Sequence, residues 1–310
     1  MKPTNKEKIA VIIPAYKVKA QIRSVVESIP SFVDYIIVVN DACPEDSYKE
    51  ISHMKDVIII HNKKNLGVGG AMISGYKKAI ELGADIGVKL DGDGQMDPIR
   101  IQELISPIIL DGFDYAKGNR FQDFSALKSM PKIRLFGNGV LSFWQKAVSG
   151  YWKIMDPSNG YTAITVVTLK KLPLEKLSKR FYFETDMLVN LNIIGARVKD
   201  VAIPAKYGAE KSSLHVLRIL VEFPFQLTRS LIKRIFLKYY IYDFNMASVY
   251  LLFGVPFLLW GIVFGTYRWW FSISQGIVNS TGTVMLSILP IMLSVNFIIA
   301  AINIDINSSD

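Results

Sequence analysis

One cysteine, Cys43, stands in 310 residues, so an internal disulfide and a cysteine-built zinc cluster are both excluded. Histidine is scarce too: His53, His61 and His215 are the full set, and none has an obvious pairing with the lone thiol. Acidic residues are outnumbered, 27 against 36 basic, and the formal charge of +9 asks for an anionic partner. Nucleic acid, nucleotide, phospholipid and lipid phosphate all qualify. Met1 to Lys8 is polar and charged without an apolar core, so no cleavable signal peptide is expected and the start reads as cytosolic. No G-x-x-x-x-G-K-[ST] run occurs, which excludes a P-loop. Gly67-Val68-Gly69-Gly70 falls short of the dinucleotide fingerprint, because Met72 stands where its third glycine belongs. Tight helix–strand packing is the role expected of those glycines.

What is present is apolar. Half of the residues are hydrophobic and the mean hydropathy is positive, high for a wholly soluble enzyme. The length accommodates one α/β domain of about 200 residues and something more. Apolar runs at Ile9–Ile13, Tyr35–Val39, Val57–Ile60 and Ile86–Leu90 alternate with helical patterns, roughly 18–29, a segment before Val57, and Gly67 to Leu82. That order predicts a mostly parallel sheet with helices on both faces. Ligands of such sheets sit outside the carboxyl ends of the strands. Pro14, Ala15 and Tyr16, then Asp41, then Asp91 and Asp93 all fall on that edge.

Lys89-Leu-Asp91-Gly-Asp93-Gly-Gln95-Met-Asp97-Pro98 is the most informative stretch. Two carboxylates at i, i+2 and a carboxamide share a loop, and Asp97-Pro98 is a natural helix start. Oxygen ligands so placed suit a hard divalent cation that also holds phosphate oxygens. A bare D-x-D is more often a solvated acidic turn. A calcium loop fits poorly: its sixth and twelfth positions, counted from Asp91, hold Met96 and Gln102 instead of Gly and Glu. Arg120, Arg134 and Lys211 are candidate phosphate clamps, the arginines by bidentate contact and the lysine as a point charge.

After Ser213 the composition changes. Residues 214–243 are apolar and basic, with Arg218, Arg229, Lys233, Arg234 and Lys238 opposed only by Glu222 until Asp243. Apolar residues recur every four positions, the pattern of an amphipathic helix on an anionic membrane surface, bent at Pro224. Residues 244–310 then carry two uncharged stretches, 247–267 and 281–304, each about 20 residues and long enough to cross a bilayer. Trp269, Trp270 and Phe271 close the first as an aromatic belt. Positive residues before the first span place residues 1–213 on the cytoplasmic side of the cell (inner) membrane, with a multi-pass anchor behind them.

These motifs, in this order, resemble family 2 glycosyltransferases of the GT-A fold, most of all the dolichol-phosphate mannose synthase and polyprenyl-phosphate glycosyltransferase branch. The matching residues are Val11-Ile-Ile-Pro-Ala-Tyr16, Val38-Val-Asn-Asp41-Ala-Cys-Pro-Glu-Asp46, Asn65-x-Gly67, Asp91-Gly-Asp93-Gly-Gln95-x-Asp97-Pro98, Lys117-Gly-Asn-Arg120, Asp156-Pro-x-x-Gly160-Tyr161 and Tyr207-Gly-x-x-Lys211-Ser212. The likeness runs from about Ile9 to Ser213. It implies a Rossmann-like, mostly parallel GT-A domain followed by interface helices and two transmembrane helices. It implies that Pro14, Ala15 and Tyr16 line a nucleotide pocket, that Asp41 meets the base, and that Asp91, Asp93 and Gln95 hold Mg²⁺ or Mn²⁺ on the donor diphosphate. Lys211 would also contact the donor. Arg120, Arg134 and Ser212 would meet the acceptor phosphate, and Asp91, Asp93, Arg120 and Arg134 would carry catalysis.

The implied partners are a nucleotide sugar, a polyprenyl phosphate and membrane lipids, not nucleic acid; a homo-oligomer is compatible. A UDP-hexose is favoured over GDP-mannose. Two departures stand out. Asn40-Asp41-Ala42-Cys43 replaces the common Asp-Asp-Gly-Ser, and Glu184 and Asp186 read as helix-start residues more than as a general base. Two other readings fit parts of the sequence. A processive polysaccharide synthase would need more spans and a Q-x-x-R-W signature, but Ser230 follows Gln226-Leu-Thr-Arg229. A non-catalytic membrane scaffold would not need to keep Asp91, Asp93 and Gln95.

Overall fold

The computed structural model describes residues 7–120, 132–203 and 216–308. Strands β1 (Ile9–Ala15), β2 (Tyr35–Asn40), β3 (Val57–His61), β4 (Ile86–Lys89), β5 (Tyr115–Asn119), β6 (Thr162–Thr165) and β7 (Val198–Ala202) form one seven-stranded sheet. Its order is β3-β2-β1-β4-β6-β5-β7. All neighbours are parallel except β6, which runs antiparallel between β4 and β5. The chain leaves β1 outward to β2 and β3, then returns to β4 on the other side of β1. That reversal is a topological switch point, where open α/β sheets form their ligand crevice.

The first strands are legible as continuous apolar runs because the sheet is covered on both sides. Ala10, Ile12, Ile37 and Val39 enter one core with Met72 and Tyr76 of α2 (Gly67–Glu81) and Met187, Leu188 and Leu191 of α6 (Phe183–Ile193). Val11, Ile13 and Val38 enter a second core with Val25 of α1 (Ile22–Glu27) and Leu104 and Ile105 of α3 (Ile101–Asp111). Adjacent residues thus point to opposite, equally dry layers. Helices α4 (Lys132–Ser149) and α5 (Val166–Lys171) complete this part.

Some expected elements are shorter. The pattern across 18–29 yields only Ile22–Glu27, and the segment before β3 is a single 3₁₀ turn, Ser47–Glu50. Pro44 and a left-handed Asp46 (φ 49°) leave no room for a longer helix there. The glycines opening α2 do serve close packing, but Gly69 packs on a loop and the start of α6. A Cβ at Gly69 would lie 2.3 Å from the Ser178 carbonyl oxygen and 2.7 Å from the Phe183 ring. Gly69→Ala should therefore destabilise by about 1–3 kcal/mol, read from the denaturant midpoint at unchanged slope.

The chain divides into two compact units, residues 1–234 and 235–310. Helix α7 (Val216–Phe236) contains Pro224, and in the first unit it is fastened to α6. Lys233 Nζ donates to Asn190 Oδ1 at 3.0 Å, buried Arg234 donates to Asn192 Oδ1 at 3.3 Å, and the Tyr182 hydroxyl donates to the Gln226 carbonyl at 3.3 Å. The second unit is a helical hairpin, α8 (Met246–Gln275) and α9 (Thr281–Asn307), both longer than the apolar stretches that announce them. Asn245 and Ser248 cap α8 reciprocally. At the other end of the hairpin sequence, the Tyr239 hydroxyl donates to Asp305 Oδ1 at 2.5 Å and Lys238 Nζ donates to Ser308 Oγ at 2.9 Å. The end of α9 is thereby tied to the turn that precedes α8.

Both hairpin helices are long and apolar enough to cross a membrane. Only 22% and 11% of their most apolar stretches are buried inside the protein, unlike core helices of a soluble fold. Leu252, Trp260, Val263, Leu286 and Leu289 are all exposed. So continuous an apolar surface marks a lipid or partner interface.

Candidate active site

Three loops leave the carboxyl edge around the switch point. From β1 come Pro14, buried Ala15 and the 42%-exposed Tyr16, followed by Lys17, whose φ is 57°. From β2 come Asn40 and Asp41, followed by Ala42 at φ 51°. A non-glycine residue in the left-handed region carries about 1–2 kcal/mol of strain, and such residues collect at functional sites.

Asp41 is 2% exposed and its partners are internal. Asn62 Nδ2 donates to Oδ1 at 2.8 Å, Leu66 N donates to both oxygens at 2.9 and 3.0 Å, and Gly67 N donates to Oδ2 at 2.8 Å. The carboxylate satisfies the first amides of α2. Its observed work is to hold the glycine turn, a role the expected hydrogen bond to a base did not include. Cys43 is likewise a brace: Lys17 N donates to its Sγ at 3.1 Å, and Ser47 Oγ lies 3.2 Å from it.

The β4 loop carries the carboxylate pair. Asp93 Oδ1 accepts from Gln95 N at 3.0 Å, and Gly94 turns at φ 78°. Asp97 starts the next helical turn, and its carbonyl accepts from the Tyr161 hydroxyl at 2.8 Å, which pins the loop to the start of β6. Asp91 is held from below. Lys89, 1% exposed, brings Nζ to 2.8 Å from Asp91 Oδ1 and 3.3 Å from Glu184 Oε1. Burial pulls that ammonium down, but Asp91 and Glu184 outweigh it and hold Lys89 charged, above the ordinary lysine value. Asp91 Oδ1 is itself buried, and the Lys89 ammonium is the charge it faces.

Asp156 is fully buried and anchors the neighbouring loop. Arg120 Nε and Nη2 donate to its two oxygens at 2.7 and 3.1 Å. Arg120 was expected to clamp a phosphate; the structure gives its fork to Asp156 first, with its side chain still 34% exposed. Lys117, fully buried, donates to the Asn159 carbonyl, and Asn159 Nδ2 donates to the Gly118 carbonyl at 2.7 Å. Burial pushes the Lys117 ammonium down to about 8, countered only in part by Glu184 and Asp156.

Asp200 on β7 accepts from Asn119 Nδ2 at 2.7 Å and Met155 N at 3.2 Å, and burial raises its carboxyl to about 6. An acid raised on folding holds its proton more tightly in the native state, so stability falls as pH rises from about 4 to 6 and is flat above. Asp200→Asn should remove that slope, worth about 2 kcal/mol after discounting for the exposed part, in unfolding curves measured from pH 4 to 7.

The site thus gathers Pro14–Tyr16, Asp41, Asp91, Asp93 and Arg120 on one edge. Arg134 has its backbone in α4, its side chain outside the described residues; Lys211 and Ser212 lie outside them altogether. The pairing of Lys89 with Asp91 and Glu184, and that of Asp156 with Arg120, go beyond the sequence reading. A lysine at the end of a buried strand is the one signal that could have found the first, since such residues require partners.

The donor set can be tested for a metal. Among the described residues no three His, Cys, Asp or Glu side chains cluster as ligands. Two carboxylates remain on the loop after β4, Asp91 and Asp93. That suits Mg²⁺ or Mn²⁺, which take one or two carboxylates and complete their shell with substrate phosphates and water. The residues fit such an ion and no all-protein cage.

The sequence profile described as "Glycosyl transferase family 2" matches residues 10–172, from β1 into the helix that follows β6. The chain belongs to this family. Like its other members, this family 2 protein is a glycosyltransferase, built on a GT-A, Rossmann-like fold. It is 35% identical over 198 residues to the UDP-N-acetylglucosamine–dolichyl-phosphate N-acetylglucosaminyltransferase of Methanococcus voltae, covering 58% of this chain and 78% of the relative. It is 27% identical to the dolichol-phosphate mannosyltransferase of Pyrococcus furiosus, over 65% of this chain and 56% of that protein. Glucosyl-3-phosphoglycerate synthase of Mycobacterium tuberculosis, crystallised with Mn²⁺, UDP-glucose and phosphoglyceric acid, shares the fold. That superposition has a TM-score of 0.54 at 18% identity, over 74% of this chain and 79% of the other.

Proposed function

We propose that this family 2 glycosyltransferase moves one hexose from a nucleotide sugar to a polyprenyl phosphate at the cytoplasmic face of a membrane, with inversion at the anomeric carbon. The observation that carries the reading is the Asp91–Asp93 pair on the loop that follows β4, at the switch point. Relatives named for dolichyl- or undecaprenyl-phosphate acceptors support the lipid phosphate. The apolar hairpin supports delivery at a membrane, and the tie between Tyr239 and Asp305 supports a hairpin whose ends share one face.

Asp91, Asp93 and Gln95 would hold Mg²⁺ or Mn²⁺, which when bound neutralises charge on the departing diphosphate. Pro14, Ala15 and Tyr16 would flank the nucleotide, and Asp41 would shape its pocket through the turn at Asn62–Gly67. An acceptor phosphate oxygen attacks the anomeric carbon, the new C–O bond forms, and the bond from that carbon to the donor diphosphate breaks. The nucleoside diphosphate leaves with the electron pair. A phosphate monoester, with a second pKa of about 6, is already largely ionised at pH 7, so no side chain has to take a proton from it. Catalysis is then positioning and electrostatics. Arg120 and Arg134, with Lys211 and Ser212, would neutralise donor and acceptor phosphates.

UDP-hexose is favoured as donor, N-acetylglucosamine being the sugar named for the M. voltae relative. Purified full-length protein in lipid, given polyprenyl phosphate, Mn²⁺ or Mg²⁺ and a panel of UDP- and GDP-sugars, should yield lipid-linked monosaccharide from a UDP-sugar. Turnover confined to GDP-mannose would overturn the donor assignment, and no turnover by folded protein would overturn the activity.

A further inference from the structure

We propose that Lys89 is a positioning residue for the metal–diphosphate seat, and that Glu184 is its charge partner and not a proton acceptor in the transfer. The proposal rests on the reading of Asp91 and Asp93 as that seat. Lys89 is the last residue of β4 and is paired on both sides, to Ile12 of β1 and Thr162 of β6. Its backbone is therefore fixed in the centre of the sheet. A fully buried lysine there is tolerated only with charge partners, and it has two: Asp91 at 2.8 Å and Glu184 at 3.3 Å. Glu184 comes from the first turn of α6, nearly a hundred residues away in sequence, and its side chain is 12% exposed.

The cavity around the ammonium is cut to fit. A Cβ at Gly160 would lie 2.3 Å from Lys89 Nζ and 3.0 Å from Asp91 Oδ2. Gly160 begins the approach to β6, and Asn159 beside it is locked to β5. Lys89 is thus enclosed by β1, β6, α6 and the Gly160 turn, with its one charge aimed at the underside of Asp91.

Glu184 also has a near neighbour of contrasting role. Asp186 accepts from Ser178 N at 2.8 Å and from Asn190 Nδ2 at 2.9 Å, contacts that only brace the helix start. Glu184 instead reaches the site, but it reaches the ammonium.

The test uses full-length protein in lipid and three variants: Lys89→Met, Glu184→Gln and the pair together. Binding of Mn²⁺ with UDP is followed by the Mn²⁺ electron paramagnetic resonance signal and by calorimetry, with melting temperature as a fold control. Lys89→Met should weaken Mn²⁺–UDP binding by about 10- to 100-fold, the range typical of groups that orient a metal ligand. Adding Glu184→Gln should restore about tenfold of that loss, because the carboxylate left unbalanced has been removed; a merely structural lysine would show no such rescue. Glu184→Gln alone should lower kcat by no more than about tenfold. Lys89→Met that melts early but binds Mn²⁺–UDP as the native protein does would overturn the positioning role. Glu184→Gln that binds normally yet loses more than about 1,000-fold in kcat would overturn the charge-partner role. If Lys89→Met does not fold, that second comparison still decides, since Glu184→Gln leaves β4 intact. Failure of the native protein itself to bind Mn²⁺–UDP would refute the seat, not the role of Lys89 within it.

Discussion

Asp93→Ala should lower kcat/KM by roughly 1,000-fold, several kcal/mol of lost transition-state stabilisation, while the protein still enters membranes normally. The loop that carries Asp93 is positioned by its own backbone: Gln95 N donates to the carboxylate, Asp97 caps the next turn, and Tyr161 pins the loop from β6. Removing the side chain leaves those last two ties in place. The seat for the diphosphate is lost and the fold is kept. Steady-state rates with saturating Mn²⁺, beside vesicle flotation of the same preparation, check both halves. Retained turnover would refute the metal assignment.

Gly160→Ala is the second large effect, and it comes from space alone. The added methyl would sit 2.3 Å from Lys89 Nζ, 3.0 Å from Asp91 Oδ2 and 3.2 Å from Met96 Cε. Shifting the ammonium disturbs its contacts with both Asp91 and Glu184. A misplacement of about 1 Å at a reacting site costs roughly 100-fold in rate. The overpacking adds about 1–3 kcal/mol of destabilisation. Rates compared at a temperature well below the variant's own melting point separate the two, and a variant as active as the native protein would show that Asp91 tolerates displacement.

The parts of the fold that were legible are those where burial writes itself into sequence. β1, β2 and β4 are short apolar runs because both of their faces pack against a core, β3 at the sheet edge is a partly buried one, and the carboxyl ends of β1, β2 and β4 deliver Tyr16, Asp41 and Asp91 to one edge. The antiparallel insertion of β6 between β4 and β5 was not legible, because strand order is set by packing between distant segments and Thr162–Thr165 carries no mark of direction. The site divides the same way. Asp91, Asp93 and Gln95 announce themselves by spacing within one loop. Pairings across the chain do not: Lys89 with Glu184, Arg120 with Asp156, and Asp41 with the amides of Leu66 and Gly67 exist only once the sheet has formed. That is why Arg120 reads from sequence as a free phosphate clamp and Asp41 as a base contact. Each first meets a need of the fold, Arg120 by holding the loop at Asp156 and Asp41 by capping α2.

Transfer of a single sugar to a lipid phosphate is tested most directly by the stoichiometry of that transfer. Nucleoside diphosphate released, polyprenyl phosphate consumed and sugar gained per lipid should be measured together in vesicles containing the full-length protein, with the anomeric configuration of the product read by NMR. Equal molar amounts, one sugar per lipid, inverted configuration, and no nucleotide release when the lipid phosphate is omitted are the expected results. Polymer longer than one sugar, or release that proceeds equally without lipid phosphate, would contradict such a transfer.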